Sequence, residues 1–316
     1  MMKESKATRM TSPALSADKR AVATAIACYG LWGFMPLLFM AMNGVGFTAP
    51  EILAHRALWS VLFAGGLVIL AGQVGQARRV LLTPRILGWL ALSTAMIAIN
   101  WGIYVWATTT HHTLEASLGY YINPLLNMAA GMVLFREKID RWGWAAIGLA
   151  VVGVILQTVA LGRPPWLSLI LALSFAAYGV IRKRVPADAQ TGLFVECLLL
   201  LPFGAAFLIW ASQMGQTVGF DDPVHWLWAI SSGPATVLPL ALFAWSARRL
   251  PLSTIGFVQF LAPTLQFAIG VASGEPMTAL RALSFVFIWA GAGVFALGAV
   301  FRSRAARRAV AASEPA

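Results

Sequence analysis

Residues 86–107 read ILGWLALSTAMIAINWGIYVWA, an apolar run without one formal charge. A helix needs ~20 such residues to cross a hydrocarbon core of about 30 Å, so this stretch is read as membrane-spanning. Its flanks carry as much information as its interior. Arg78, Arg79 and Arg85 precede it, whereas the segment that follows, TTTHHT at 108–113, has no Lys or Arg. Working outward, the same texture recurs at 22–42, 52–71, 114–135, 142–161, 166–181, 193–212, 226–247, 252–273 and 283–301. Together these make ten runs of roughly spanning length.

Basic residues order the runs, because positively charged loops stay on the cytoplasmic side during insertion. One set of gaps and ends holds Lys3, Lys6, Arg9, Lys19 and Arg20, then Arg78, Arg79 and Arg85, then Arg136, Lys138 and Arg141, then Arg182, Lys183 and Arg184. The same side continues with Arg248 and Arg249, and closes with Arg302, Arg304, Arg307 and Arg308. The opposite gaps hold only Arg163 and Arg281. An odd number of spans would strand the basic C-terminal segment on the wrong side, so the parity favours ten, with both termini cytoplasmic. The expected fold is therefore an all-α integral membrane protein.

The same sorting accounts for the net charge of +11. In a soluble chain that balance suggests nucleic acid. Here it is a topology signal, reinforced by attraction of Lys and Arg to anionic lipid headgroups, and no nucleic-acid partner is expected. The first apolar run is too long for a cleavable signal peptide and lacks a small-x-small site after it, so it is read as a retained span. Cys28 and Cys197 both fall inside spans, without C-x-x-C spacing, and read as small apolar residues with neither disulfide nor metal role.

An internal repeat organises the chain. A shift of about 139 positions sets Pro124 over Pro263, Ala129 over Ala268, Gly131 over Gly270 and Trp106 over Trp245, and places Tyr120 and Asn127 over Gln259 and Gln266. Glu137 meets Glu275 after a one-residue slip, and Tyr29-Gly30 lies over Tyr178-Gly179. This divides the chain into an N-terminal tail at 1–20, a first five-helix repeat at 21–161, a second at 162–301, and a basic cytoplasmic tail at 302–316. Five is odd, so the second copy enters from the opposite face. Inverted repeats of this kind characterise secondary transporters, whose halves rock about a site near the midplane.

Polar residues inside the spans are the site candidates. Arg56, Glu115 and Glu196 are the formal charges there, each costing about 2.5–3.5 kcal/mol at a helix centre on insertion scales. Glu115 reads either as a first-turn carboxylate complementing its helix dipole, or as a proton-linked gating group partnered by Arg56. Arg56 alternatively snorkels to the outer headgroups. Glu196 reads as a structural ion pair with the 182–184 cluster, or as a relay. Uncharged polar residues reach deeper. Tyr120, Asn123 and Asn127 share one helix face, as do Gln259 and Gln266, and Asn100, Trp101 and Tyr104 bring an amide, an indole and a phenol together. Hydrogen-bonding groups with aromatic walls suit a small organic solute, although Asn and Gln also serve as interhelical glue. Pro124 and Pro263 each free a carbonyl near mid-span, which favours a cavity there. The histidines His55, His111, His112 and His225 all fall toward the outer side without metal-ligand spacing.

Specific stretches carry a family likeness: EILAHRALWS at 51–60, Asn100-Trp101, HHTLEASLGYYINPL at 111–125, and Ala189-Gln190-Thr191-Gly192 followed by Glu196. With these the chain resembles the EamA family of the drug/metabolite transporter superfamily along nearly its whole hydrophobic length. The resemblance implies a ten-helix permease of the bacterial cytoplasmic (inner) membrane with two EamA repeats. Its motif corresponds here to His111, His112, Glu115, Tyr120, Asn123 and Pro124.

The expected function is secondary transport of a small organic metabolite or amphiphilic drug, outward, by alternating access, with proton coupling through Glu115. Asn100, Trp101, Tyr104, Tyr120, Asn123, Asn127, Gln259 and Gln266 would line the site, and Arg56, Glu115 and Glu196 would couple or gate. No cofactor is expected, and the protein would work as monomer or homodimer. Rival readings are a membrane-embedded enzyme built on Ser117, Glu115 and His111, a passive channel, and a structural subunit.

Overall fold

The computed structural model describes residues 19–135, 140–219, 221–247, 249–250, 254–255 and 258–313, and side chains among these except 127–135, 183, 299, 302–303 and 305–313. The described residues form helices and no strand: α1 (Lys19–Gly44), α2 (Ala49–Leu70), α3 (Val74–Leu81), α4 (Pro84–Thr109), α5 (Thr113–Phe135) and α6 (Arg141–Leu161), then α7 (Trp166–Arg184), α8 (Ala189–Gln213), α9 (Pro223–Ala247), α10 (Leu261–Ala272) and α11 (Ala279–Ser313). Seven are long and apolar enough to cross a membrane: α1, α2, α4, α6, α8, α9 and the 279–298 part of α11. The chain is an integral membrane protein.

Helix boundaries follow from local chemistry. Thr48 and Glu51 form a reciprocal capping box at the start of α2, with Pro in the first turn where its missing N–H costs nothing. Asp140 caps α6 by accepting from Gly143 N at 2.9 Å, and Gly162 ends it at φ 65, a left-handed conformation that suits glycine. The first turn of α5 is capped from a distant part of the chain, because the Glu275 carboxylate accepts from Thr113 N and Leu114 N.

Three features depart from the sequence reading. The short α3 interrupts the basic gap before α4; Ala77 and Val80 anchor it while Arg78 and Arg79 occupy its last turn. It escapes a search for apolar runs because it is amphipathic and brief. The ninth run does not form one helix: Gln259 and Phe260 lie in a turn, and α10 begins only at Leu261. Pro263 therefore sits in a first turn, where proline fits, and the irregular backbone precedes it. Finally, α11 runs on through the basic tail to Ser313.

The helices pack as α6 on α11, α2 on α8 and α9, α5 on α7 and α10, α4 on α7 and α8, and α1 on α9 and α10. The α6–α11 seam is close because each helix offers a glycine. A Cβ on Gly153 would lie 2.5 Å from Ile288 Cγ1, and one on Gly291 would lie 3.0 Å from the Ala146 carbonyl.

Loop contacts fall into two groups. At one end, Val218 N donates to Glu51 at 3.0 Å, Phe47 meets the His225 ring at 5.8 Å, Arg163 pairs with Glu115, and Glu275 caps α5. One core cluster containing Phe47, Ala107, Leu167 and Ala229 joins these contacts. At the other end, Gln73 Nε2 donates to Asp188 at 3.0 Å, Asp188 N donates to Gln76, and Thr191 donates to Gln73.

Candidate functional site

Arg56 lies on the eighth residue of α2, deep among helices, and is 5% exposed. It does not snorkel. Its Nε donates to Thr236 Oγ1 of α9 at 2.8 Å, its guanidinium carbon sits 4.0 Å from the Trp101 ring centroid and 5.6 Å from that of Phe39, and Nη1 has no hydrogen-bond partner. Cation–π contact is worth ~2 kcal/mol or more when desolvated, which offsets part of the cost of burying the charge.

Around it the polar residues of α4 and α5 interlock. Asn100 Nδ2 donates to the Leu171 carbonyl at 2.9 Å and to Ser174 at 3.2 Å, and its Oδ1 accepts from the Tyr120 hydroxyl at 3.0 Å. The Tyr120 ring meets Tyr104 edge to face at 5.4 Å, and Tyr104 in turn meets Phe39 at 6.1 Å. The structure thus brings Arg56, Asn100, Trp101, Tyr104 and Tyr120 into one layer. Gln266 reaches toward it from α10. Its amide donates at 3.3 Å to the Trp32 carbonyl, which Pro36 leaves without its helical partner, and its own Oε1 is buried and unbonded. The Tyr104 hydroxyl is buried and has Gln266 as its polar neighbour, without a hydrogen bond of normal geometry between them.

Other sequence candidates behave differently. Asn123 is buried with Oδ1 unbonded, whereas the side chain of Asn127 lies outside the described residues, as does Glu137. Gln259 is half-buried in the turn before α10, so it does not share a regular helix face with Gln266. Ser117 donates to the Leu114 carbonyl within its own helix. Among the described residues, no group of three or more His, Cys, Asp or Glu is arranged to hold a metal ion.

Glu115 does not pair with Arg56. It binds Arg163 Nη2 at 3.0 Å, near the end of the bundle where Glu275 caps α5. Arg281 lies close to both carboxylates and donates to the Pro276 carbonyl. The two arginines that broke the charge sorting are therefore drawn to one acidic cluster, and that exception was the available sequence signal for it.

Glu196 sits two turns into α8, 1% exposed, in a three-way socket. Ser93 donates to it at 2.6 Å, Tyr178 at 3.2 Å, and Arg182 Nε stands 3.7 Å away. The guanidinium crosses Gly192, where a Cβ would fall 2.0 Å from Arg182 Nη1. Gly192→Ala is expected to dislodge Arg182 from Glu196 and cost about 1–3 kcal/mol, the range for leaving a buried polar group without its partner. Denaturation of the purified protein, alone and combined with Arg182→Gln, checks this: the double variant should cost little more than either single one.

A multi-pass chain whose described residues are helical and bury a polar layer among the helices defines a class of polytopic inner-membrane proteins, and the comparisons narrow it. A Vibrio cholerae protein named as an uncharacterized transporter is 40% identical over 297 residues, covering 92% of this chain and 96% of that one. The RarD protein of Salmonella typhimurium is 40% identical over 292 residues, covering 90% and 97%. No family model matches. A solved crystal structure shares the fold at a TM-score of 0.57 and 19% identity, covering 89% of this chain and 98% of that one. The chain belongs to the RarD family and is a multi-pass protein of the bacterial inner membrane.

Proposed function

We propose that the protein is a secondary transporter of small organic solutes, with ten spans arranged as two inverted five-helix repeats and both termini cytoplasmic. The observation that carries this reading is a symmetry of packing. Exchange α1 with α7, α2 with α8, α4 with α9, α5 with α10 and α6 with α11. Then α4–α7 becomes α9–α1, α5–α7 becomes α10–α1, α2–α9 becomes α8–α4, and α2–α8, α5–α10 and α6–α11 map onto themselves. The division of loop contacts between two ends fits the same topology, since each end gathers the loops that the basic residues assign to one face. Relatives named as transporters support the activity.

The polar layer lies where the halves meet, because Arg56 and Asn100 belong to one half and Thr236, Leu171 and Gln266 to the other. Solute would bind against Asn100, Trp101, Tyr104, Tyr120, Asn123 and Gln266. The Glu115–Arg163 cluster would close the outer side, and the Glu196–Arg182 socket with the Gln73–Asp188 contacts the inner side. Rocking would break one set while the other holds. Glu115 would link export to the proton gradient, since one of its oxygens is buried without a hydrogen bond and protonation would release Arg163.

Reconstitution tests this. Liposomes holding the protein and loaded with a bacterial metabolite extract should release a few species selectively when a pH gradient is imposed, as read by mass spectrometry. Glu115→Gln should lower gradient-driven release at least tenfold while leaving exchange in the absence of a gradient. Release identical to protein-free liposomes contradicts the reading.

A further inference from the structure

The charges of the polar layer do not balance. Glu196 is matched by Arg182, Glu115 by Arg163, and Glu275 is spent on the first turn of α5. Arg56 is 5% exposed, yet among the described residues it touches a neutral hydroxyl and two aromatic rings and no carboxylate. A guanidinium in that position is costly, and a protein that needed only packing there would carry an apolar residue.

Geometry shows what the charge is held ready for. The guanidinium carbon lies over the Trp101 ring at 4.0 Å and Thr236 takes Nε, so the edge bearing Nη1 is the part without a partner. That edge is the part of arginine that matches a carboxylate in plane. The Tyr104 hydroxyl, which faces the Gln266 amide without a hydrogen bond of normal geometry, is a second donor in the same layer. Trp101, Phe39 and Tyr120 supply apolar walls but no further charge. We infer that Arg56 is the anion-binding residue of the layer, and that the solute is an organic monocarboxylate with an aromatic or apolar body.

One cation selects one negative charge, because a dianion would bring an uncompensated charge into a desolvated site, and a cationic solute would face Arg56 directly. The inference rests on the transporter reading above and adds the substrate class to it. In the empty protein, Trp101 and Thr236 hold the guanidinium; a carboxylate entering the layer would complete its hydrogen bonds at Nη1.

Two measurements test it. In the metabolite-extract assay, the species released by the wild-type protein should be monoanions at neutral pH; Arg56→Gln should reduce their release at least a hundredfold and Arg56→Lys by less. Selective release of neutral or cationic species, or unchanged release from Arg56→Gln, overturns the inference while leaving the transporter reading intact. If wild-type liposomes release nothing selectively, the transporter reading fails, and thermal melting of the purified protein judges the anion site alone. Millimolar benzoate and phenylacetate should raise the melting temperature where benzamide and phenylacetamide do not, and Arg56→Gln should abolish the difference; equal shifts, or none, overturn the inference. Without added solute, Arg56→Met should melt at or above the wild-type temperature. A lower melting temperature would make Arg56 a structural residue and overturn the assignment.

Discussion

Glu275→Ala is expected to lower the stability of the folded protein by about 3 kcal/mol, from the loss of two buried hydrogen bonds to a charged acceptor at ~1.5–3 kcal/mol each, partly regained by relaxation. The carboxylate is 5% exposed and accepts from Thr113 N and, at 2.9 Å, from Leu114 N, two of the donors that every helix start leaves unpaired. Arg281 would also lose one of its two nearby carboxylates. Glu275→Gln keeps one acceptor oxygen and should lose about half as much. Chemical denaturation in mild detergent reads both values, and a change below about 0.5 kcal/mol for the alanine variant would show that this cap does not hold α10 and α11 to α5.

Gly153→Leu should have a comparable effect by a different route. The ideal Cβ alone meets Ile288 Cγ1 at 2.5 Å and the Ser284 carbonyl at 3.0 Å, and the latter is backbone that cannot rotate away. Leucine would push α6 and α11 apart and break the buried Ser284 to Gln157 hydrogen bond of 2.7 Å. Overpacking costs about 1–3 kcal/mol, and the severed bond adds about 1. The seam lies away from the polar layer, so the expected result is less folded protein in the membrane with unchanged flux per folded molecule. Gly153→Ala should fall between. Wild-type abundance of the leucine variant would mean that the helices do not approach this closely.

The two ends of the molecule differ in how much the sequence reveals. Charge-free length and the alternation of Lys and Arg are properties of single segments, so the membrane-spanning texture is legible from residues 86–107 outward. Pairings are not local. Arg163 lies 48 residues from Glu115 and reaches it because α5 and α7 pack together, so the sequence suggested Arg56 as the partner only by shared depth. The layer of Asn100, Trp101, Tyr104 and Tyr120 was legible because helical spacing puts these residues on inward faces. Thr236 and Ser93 were missed: a hydroxyl in an apolar helix satisfies itself on its own backbone, as Thr236 also does on the Ser232 carbonyl, and its type alone does not reveal a second partner. Gln259 and Gln266 were read on one regular helix, whereas Gln259 lies in a turn before the helix that carries Gln266, a break that periodicity alone does not signal. The α3 helix was missed because eight amphipathic residues lie below the length at which apolar runs register.

The rocking of two halves is tested most directly by tying them together at one face. Gln73 and Asp188, whose side chains touch at 3.0 Å, fall in opposite halves and on the inner rim in the proposed topology, while the native Cys28 and Cys197 are buried. Gln73→Cys with Asp188→Cys, joined in liposomes by a short bis-methanethiosulfonate reagent that forms a disulfide with each thiol and releases methanesulfinate, should stop selective solute release, and reducing those disulfides should restore it. Undiminished release from fully cross-linked protein would contradict alternating access between the two halves.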